Sequence, residues 1–389
     1  MKYPKVAVIG LGFMGRTHIQ ALRRLGVEVH GVAGVSEDEA KNTAEELAIS
    51  KWYRSFDEVI ADNDIQVIHL CTPNNLHFQQ AKKALEAGKH VLCEKPLALT
   101  PNESRELADL AQKKDLVTAV NYNLRFYPIC QEARARILDG DLGTPYLIHG
   151  AYLQDWLFYK TDWNWRLEPE QGGNMRVVAD IGTHWMDLVT YLTGLKITSV
   201  MAEFSIVHPM RFQPAGEVET FAGKIEENRS SREVEIKTED LAVILFRFEN
   251  GAIGSVNLSQ VSAGRKNYFW FEISGSKSAM RWDQENPNEL WIGKRDKANE
   301  LLSKDPSLFH PEVRTLTGFP GGHAEGYPDT FVQVFRQFYS AVISGKLPET
   351  GKFATFSDGH HEMLLCQAIQ QSAKEKRWVD IEEIIENSI

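Results

Sequence analysis

Residues Lys5–Gly15 read KVAVIGLGFMG, and the fold of the N-terminal region follows from this stretch. Val6 to Gly10 is a short apolar run, the pattern of a strand buried on both faces. It breaks into Gly10-Leu11-Gly12-Phe13-Met14-Gly15, and a helical pattern then runs from Arg16 to about Leu25. Each glycine of this G-x-G-x-x-G has its own duty in a dinucleotide site. Gly10 permits the tight turn, Gly12 lets backbone approach a pyrophosphate, and Gly15 lets helix pack closely on strand. The helix N-terminus then turns its N–H groups and dipole towards the phosphate charge. Glycines also mark ordinary turns; the strand before these three and the helix after them make the dinucleotide reading the stronger one.

Composition bounds that reading. At 389 residues the chain is long for a single core, which predicts two domains. Hydrophobic residues at 43% and charged residues at 25% are the balance of a soluble globular protein. The net charge of −10 lacks the basic footprint of a nucleic-acid binder. No apolar run reaches the ~18 residues of a membrane span, and the first strand follows no charged-then-apolar leader. Cys71, Cys93, Cys130 and Cys366 are scattered, with no C-x-x-C or histidine-rich spacing. The expectation is a cytoplasmic protein with reduced thiols and no metal site.

Beyond the first helix, Glu28–Ala33 reads as strand two, and Ser36-Glu37-Asp38-Glu39 opens a helix reaching about Ala48. An acid at the end of strand two holds the ribose 2′-hydroxyl of NAD. Here the strand ends in Ala33-Gly34-Val35, with no carboxylate and no arginine ready for a 2′-phosphate. Gly34 leaves room where an aspartate would repel that phosphate, so tolerance of NADP is expected. Glu37 is the first candidate for a substitute contact, while Ser36 with Glu39 has the pattern of a capping box.

Val67–Cys71 is a third buried run, leading into Thr72-Pro73-Asn74-Asn75 and a helix to about Ala87. His90–Cys93 follows, ending in Glu94-Lys95-Pro96; then come a helix near Asn102–Lys113, strand Val117–Val120, and Asn121-Tyr122-Asn123-Leu124-Arg125. Alternating strands and helices predict a doubly wound parallel sheet over residues 1–125. Ligands of such sheets bind beyond the carboxyl ends of the strands. Gly10–Gly15, Thr72–Asn75, Glu94–Pro96 and Asn121–Asn123 all fall on that edge.

Residues 126–389 change character. A helix near Tyr127–Asp139, a strand near Tyr146–Tyr152, an aromatic loop Trp156–Arg166 and a helix after Asp180 come first. Alternating segments follow at Leu241–Phe248, Ala252–Val261, Tyr268–Ser274, Ala279–Asp283 and Glu289–Ile292, which predict an α+β domain with an antiparallel sheet. Glu217–Lys237 is charge-rich and reads as a solvated loop or hairpin. Lys294–Gly326 looks irregular, and two helices, near Asp329–Ser344 and Phe356–Lys376, close the chain.

Two constellations can carry proton chemistry. Lys95 ends a buried strand on the ligand edge, where an oxidised nicotinamide would lower its pKa from the ordinary ~10.4. A lysine so tuned exchanges a proton with a substrate hydroxyl. Asp180 and His184, in DIGTHWMD, are four residues apart, a spacing that brings side chains within reach on a helix. The plainer alternative is that Asp180 caps the helix and His184 is a polar neighbour. Three proton-handling groups on one chain favour hydride transfer.

Ala7–Gly15, Cys71–His77 (CTPNNLH), Cys93–Pro96 (CEKP), Trp165–Arg166 and Asp180–His184 (DIGTH) together resemble the Gfo/Idh/MocA oxidoreductases. Gly321–Phe331 (GGHAEGYPDTF) and Phe353–Trp378 extend the likeness to the C-terminus. The resemblance implies a Rossmann domain followed by a domain with a large, open, mostly antiparallel sheet that forms homo-oligomer interfaces, in a dimer or tetramer. It implies hydride exchange between NAD or NADP and a ring carbon of a sugar, glycoside or cyclitol. By position it makes Lys95, Asp180 and His184 catalytic. It lines the cofactor with Gly10, Gly12, Phe13, Met14, Gly15, Gly34, Ser36, Thr72, Pro73, Asn75, His77, Glu94, Asn123, Trp165 and Arg166. Tyr122, Arg125, Trp163 and His323 fall to the substrate, His323 because GGHAEGY resembles a segment of members acting on glucosides and anhydrosugars. The alternatives are an NAD-dependent glycoside-cleaving enzyme of the same family and a non-catalytic NADP-sensing regulator. A sensor has no need of Lys95, Asp180 and His184 together.

Overall fold

The computed structural model describes residues 3–215, 231–346 and 352–387, so most of the charge-rich segment lies outside the described residues. The chain forms two compact units: Met1–Asn123 with Glu170–Gly172 and Pro328–Met363, and Leu124–Pro169 with Gly173–Tyr327 and Leu364–Ile389. The break falls between Asn123 and Leu124 rather than after Arg125. Residues 328–363, expected in the second domain, pack with the first.

In the first unit, β1 (Val6–Ile9), α1 (Phe13–Leu25), β2 (Val29–Ala33), α2 (Glu37–Glu46), β3 (Lys51–Trp52), α3 (Phe56–Ala61), β4 (Val67–Leu70), α4 (Asn74–Glu86), β5 (His90–Cys93), α5 (Pro101–Lys113) and β6 (Thr118–Val120) alternate along the chain. The strands form one parallel sheet in the order β3-β2-β1-β4-β5-β6. The order reverses between β1 and β4, which is where such a sheet opens a crevice. All four residues of β1 and of β4 are buried, His69 among the apolar residues of β4 included. Local chemistry sets the helix ends. Thr100 and Glu103 make a capping box on α5 with Pro101 in its first turn, and Gly26 closes α1 at φ +80°. The helix Tyr327–Ser344 joins this unit through Phe331, Phe335, Phe338 and Tyr339, all fully buried. At roughly 2–3 kcal/mol for each large side chain removed from water, that face outweighs the helix's distance in sequence.

In the second unit come α6 (Pro128–Leu138), β7 (Pro145–Leu153), β8 (Ile197–Ser205), β9 (Met210–Pro214), β10 (Ser231–Glu235), β11 (Leu241–Phe248), β12 (Ile253–Ser259), β13 (Tyr268–Gly275), β14 (Ala279–Asp283), β15 (Glu289–Gly293), β16 (Glu300–Ser303) and β17 (Val379–Asp380). Nine of these strands form an open sheet, β16-β15-β14-β13-β7-β12-β11-β8-β17, antiparallel except for the β7–β12 pair. Along β11, Ala242, Ile244, Phe246 and Phe248 are buried while Val243, Leu245 and Arg247 face out. One face therefore lies on the unit's helices, and along β11 the other is exposed among the described residues. The antiparallel pair β9–β10 lies apart from the large sheet, and β16 with two short helical turns replaces the irregular run expected at Lys294–Gly326.

Candidate active site

The carboxyl edge of the first unit is built as a phosphate cradle. Gly10 has φ +86°, and a Cβ there would stand 2.6 Å from the Cys71 carbonyl oxygen, so only glycine fits. A Cβ on Gly15 would collide with the Gly10 carbonyl. Gly12 differs: an added Cβ would meet nothing of the chain within 4 Å. Gly12 is the N-cap of α1, no side chain caps that end, and the first turn holds no acid. A helix N-terminus with no side-chain cap and no acid in its first turn fits the pyrophosphate of a dinucleotide.

At the tip of β2 the structure corrects the sequence expectation. The space beside Gly34 is filled: the Glu39 carboxylate lies against it, and Glu39 Oε2 accepts a hydrogen bond from the Val35 N–H at 2.7 Å. Ser36 caps α2 by accepting from the Glu39 N–H. Glu37, the residue first suspected of a ribose contact, leans towards Arg54 at 3.6 Å. The carboxylate at this strand end is that of Glu39.

His77 ties the β4 and β5 edges together. Its Nδ1 lies 2.7 Å from the Pro96 carbonyl and its Nε2 2.9 Å from the Thr72 carbonyl, next to Lys95. Burial pushes its pKa down, so the ring is neutral and donates to one of the two. The Thr72 hydroxyl donates to Gln80 Oε1 at 2.7 Å, and Pro73 opens α4 with Asn75 exposed in its first turn. Lys95 is half-buried just past β5.

In the second unit, Asp180 lies inside a π-turn, Val178–Gly182, that runs into the helix Thr183–Thr193, so it is not a helix cap. Such turns recur at functional sites because they displace side chains from the α-helical track. Arg166 Nε donates to Asp180 Oδ1 at 3.2 Å and Gln260 Nε2 to Oδ2 at 2.8 Å. The Arg166 guanidinium also stacks on Trp165, 4.3 Å from the ring centre. His184, one turn on, is buried with its ring 6.4 Å from that of Tyr152. Tyr152 donates to Asn267 Oδ1 at 2.6 Å; burial, then the Asp180 charge, pushes its pKa far up, so it stays a phenol.

Several expected contacts have other duties. Arg125 is buried in a forked ion pair with Asp187, its Nε 2.8 Å from Oδ2. Trp163 packs with Leu157, Leu167 and Ile236 in a small apolar cluster. Tyr122 lies in the core of the first unit, and Asn123 Nδ2 donates to Thr330 Oγ1 at 2.8 Å. His323 is exposed on a loop that a buried lysine organises: Lys304 Nζ donates to the carbonyls of Phe319, Pro320 and His323 and pairs with Glu325. Gln260, Tyr152, Asn267 and Lys304 carry no motif, and nothing local in the sequence singles them out.

Comparison with known proteins decides the family. Residues 4–122 match the Gfo/Idh/MocA oxidoreductase family's NAD-binding Rossmann fold, and residues 130–281 its C-terminal domain. A levoglucosan dehydrogenase of Pseudarthrobacter phenanthrenivorans is 30% identical over 99% of this chain and 100% of its own length. The chain belongs to the Gfo/Idh/MocA oxidoreductases. It is an NAD-binding oxidoreductase with a Rossmann unit and a mostly antiparallel second sheet. As a member of that family it is also similar to the myo-inositol 2-dehydrogenase of Thermotoga maritima, at 25% identity over 98% of this chain and 99% of that protein. A solved levoglucosan dehydrogenase complex with NADH and levoglucosan has TM-score 0.86 and 29% identity, covering 97% of this chain and 99% of that one.

Proposed function

We propose that this family member is an NAD-dependent dehydrogenase of a cyclic polyol, an anhydrosugar or pyranoside before a cyclitol, and that Lys95, Asp180 and His184 serve the same substrate hydroxyl. The observation that carries this reading is the Asp180 carboxylate, held on both oxygens by Arg166 and Gln260 one turn before His184. An acid so fixed orients a neighbouring base and stabilises its charged form; a surface cap needs no such clamp. The full-length likeness to a levoglucosan dehydrogenase supports the substrate class.

In oxidation the substrate carbon loses a hydride, which bound NAD accepts, while its hydroxyl loses a proton. His184 takes that proton, being the side chain whose ordinary pKa of ~6.5 suits a base at neutral pH. Asp180 orients the ring and offsets the imidazolium charge. Lys95 stabilises the developing alkoxide and relays the proton outward. His323, on its Lys304-held loop, serves the substrate. The outward face of the large sheet, where Leu147, Val243, Leu245 and Ile253 stand exposed, mates with a second copy in a homo-oligomer. All four cysteines are free thiols, which suits a cytoplasmic protein, and no described helix is long and apolar enough to cross a membrane.

The test is a panel of levoglucosan, pyranosides and inositols with NAD and with NADP, followed by absorbance of the reduced cofactor. Turnover of one or more cyclic polyols that vanishes in His184→Ala supports the reading. Turnover of none of them by protein that binds NAD counts against it.

A further inference from the structure

In the first unit a row of buried polar groups lies outside the proposed chemistry. Tyr339, His69, His18 and Glu94 come from the helix Tyr327–Ser344, β4, α1 and the end of β5. Tyr339 Oη is 3.0 Å from His69 Nε2, His69 Nδ1 is 3.0 Å from His18 Nδ1, and His18 Nε2 is 2.9 Å from Glu94 Oε1. Both imidazoles and the phenol are fully buried. Asn121 Nδ2 donates to the same Glu94 oxygen at 2.6 Å.

A carboxylate only accepts, so His18 Nε2 carries hydrogen and donates to Glu94, and the Asn121 amide donates to the same oxygen. Between His18 and His69 one Nδ1 donates and the other accepts, and His69 Nε2 with the Tyr339 hydroxyl closes the row. Burial pushes the Glu94 pKa up, but the His18 bond and charge, the Lys95 charge and the Asn121 bond outweigh it, and the net direction is down.

Glu94 is the first residue past β5. The acid of β2 reads the adenosine ribose, so β1–β3 take the adenosine half and β4–β6, beyond the switch point, the nicotinamide half. The carboxylate therefore lies at the nicotinamide side of the edge, and its side chain keeps 8% exposure. We propose that Glu94 is a fixed anion beneath the nicotinamide half of the crevice, held by the His18–His69–Tyr339 row, and that it biases the protein towards the oxidised cofactor. Oxidised nicotinamide carries a positive charge and the reduced ring none, so a fixed carboxylate favours only the former. His18 is a positioning residue that acts through Glu94. The inference rests on NAD binding to the first unit and is independent of the sugar.

The other titratable groups around Glu94 are accounted for. Burial, then the Glu94 charge, raises the Cys71 thiol; burial, then Glu94, raises Cys93. Burial, then His18, lowers His69, and burial lowers His77 on α4. His18 and Lys95 are the charges that act on Glu94 itself.

The experiment is calorimetric titration of the full chain with NAD+ and with NADH separately, from about pH 6 to about pH 9. Glu94→Gln keeps an acceptor oxygen for His18 and Asn121 and deletes only the charge. It should weaken NAD+ relative to NADH by about threefold or more, at every pH. In His18→Leu only Lys95 and Asn121 still oppose burial at Glu94, so the affinity ratio should be that of wild type at high pH and fall towards that of Glu94→Gln as pH drops. His18→Gln, which restores an N–H donor, should give back a flat profile. A smaller change in Glu94→Gln, with both forms still bound, overturns the proposal and leaves the cofactor reading standing. Wild-type protein that binds neither form overturns both.

Discussion

Replacing Glu39 by glutamine tests whether its charge sets cofactor choice. The Glu39 carboxylate lies against Gly34 at the tip of β2, where an NAD site holds its ribose acid. A 2′-phosphate at that strand end would come within roughly 5 Å of it. At an effective dielectric of about 40, one pair of unit charges at ~5 Å costs about 1.7 kcal/mol. A phosphate of charge near −2 doubles this, and physiological salt, with a screening length of about 8 Å, removes close to half. The net is about 2 kcal/mol, or ~30-fold in the NAD:NADP ratio of kcat/KM. Glutamine keeps an oxygen for the Val35 N–H, so the loop stays in place. Steady-state rates with both cofactors, at low and high salt, should show the ratio falling about 30-fold in Glu39→Gln and less at high salt. Glu37→Gln, whose carboxylate leans towards Arg54, should move the ratio less than about threefold. An unchanged ratio in Glu39→Gln, or a larger shift in Glu37→Gln, refutes the reasoning.

The two glycines of the cradle should separate stability from binding. Gly10→Ala, with φ +86° and a backbone oxygen 2.6 Å from the new carbon, should cost about 2 kcal/mol or more in a denaturation experiment, whereas Gly12→Val should melt like wild type and lose at least about tenfold in NAD+ affinity by calorimetry. Lys95→Ala and His184→Ala should each lower kcat by ~10²-fold or more with far smaller changes in NAD+ affinity, and Gln260→Leu should lower kcat in step with Asp180→Asn; full turnover in both alanine variants would remove the assignment. Asp187→Asn strips the buried Arg125 of its carboxylate and should cost about 3–5 kcal/mol in unfolding free energy while leaving KM for the sugar unchanged. Burial lowers the His310 pKa, but the Glu132 and Asp139 bonds outweigh it and the net is a raised value. Its stabilisation is therefore full below the ordinary histidine pKa and lost as pH rises through the raised one, so His310→Gln should destabilise more at about pH 6 than at about pH 9 in thermal melts.

Much of the first unit is legible in its sequence because its signals are local. Four-residue apolar runs can only be doubly buried strands between helices, and Gly10, Gly12 and Gly15 mark the cradle through a backbone angle and close approaches that no other residue allows. The strand ends at Thr72, Glu94 and Asn121 follow from the same alternation, and the alternation along Leu241–Phe248 announces a strand buried on one face only. Local signals stop where partners lie far apart in the chain. Asp180 sits 14 residues from Arg166 and 80 from Gln260, and only the folded second unit brings their donors onto its two oxygens. Tyr339 reaches His69 across 270 residues, which is why the helix Tyr327–Ser344 belongs to the first unit. Residue type misleads as well. Arg125 and Trp163 have the chemistry of substrate contacts, yet burial against Asp187 and among Leu157, Leu167 and Ile236 uses them elsewhere. Gly34 reads as room because the sequence lacks a side chain there, and the fold fills that room with Glu39. Periodicity and glycine placement are properties of neighbouring residues, so the sequence alone determines the strands, the cradle and the edge on which ligands bind. Which polar side chains meet depends on packing that cancels distance along the chain, and only the tertiary structure decides it.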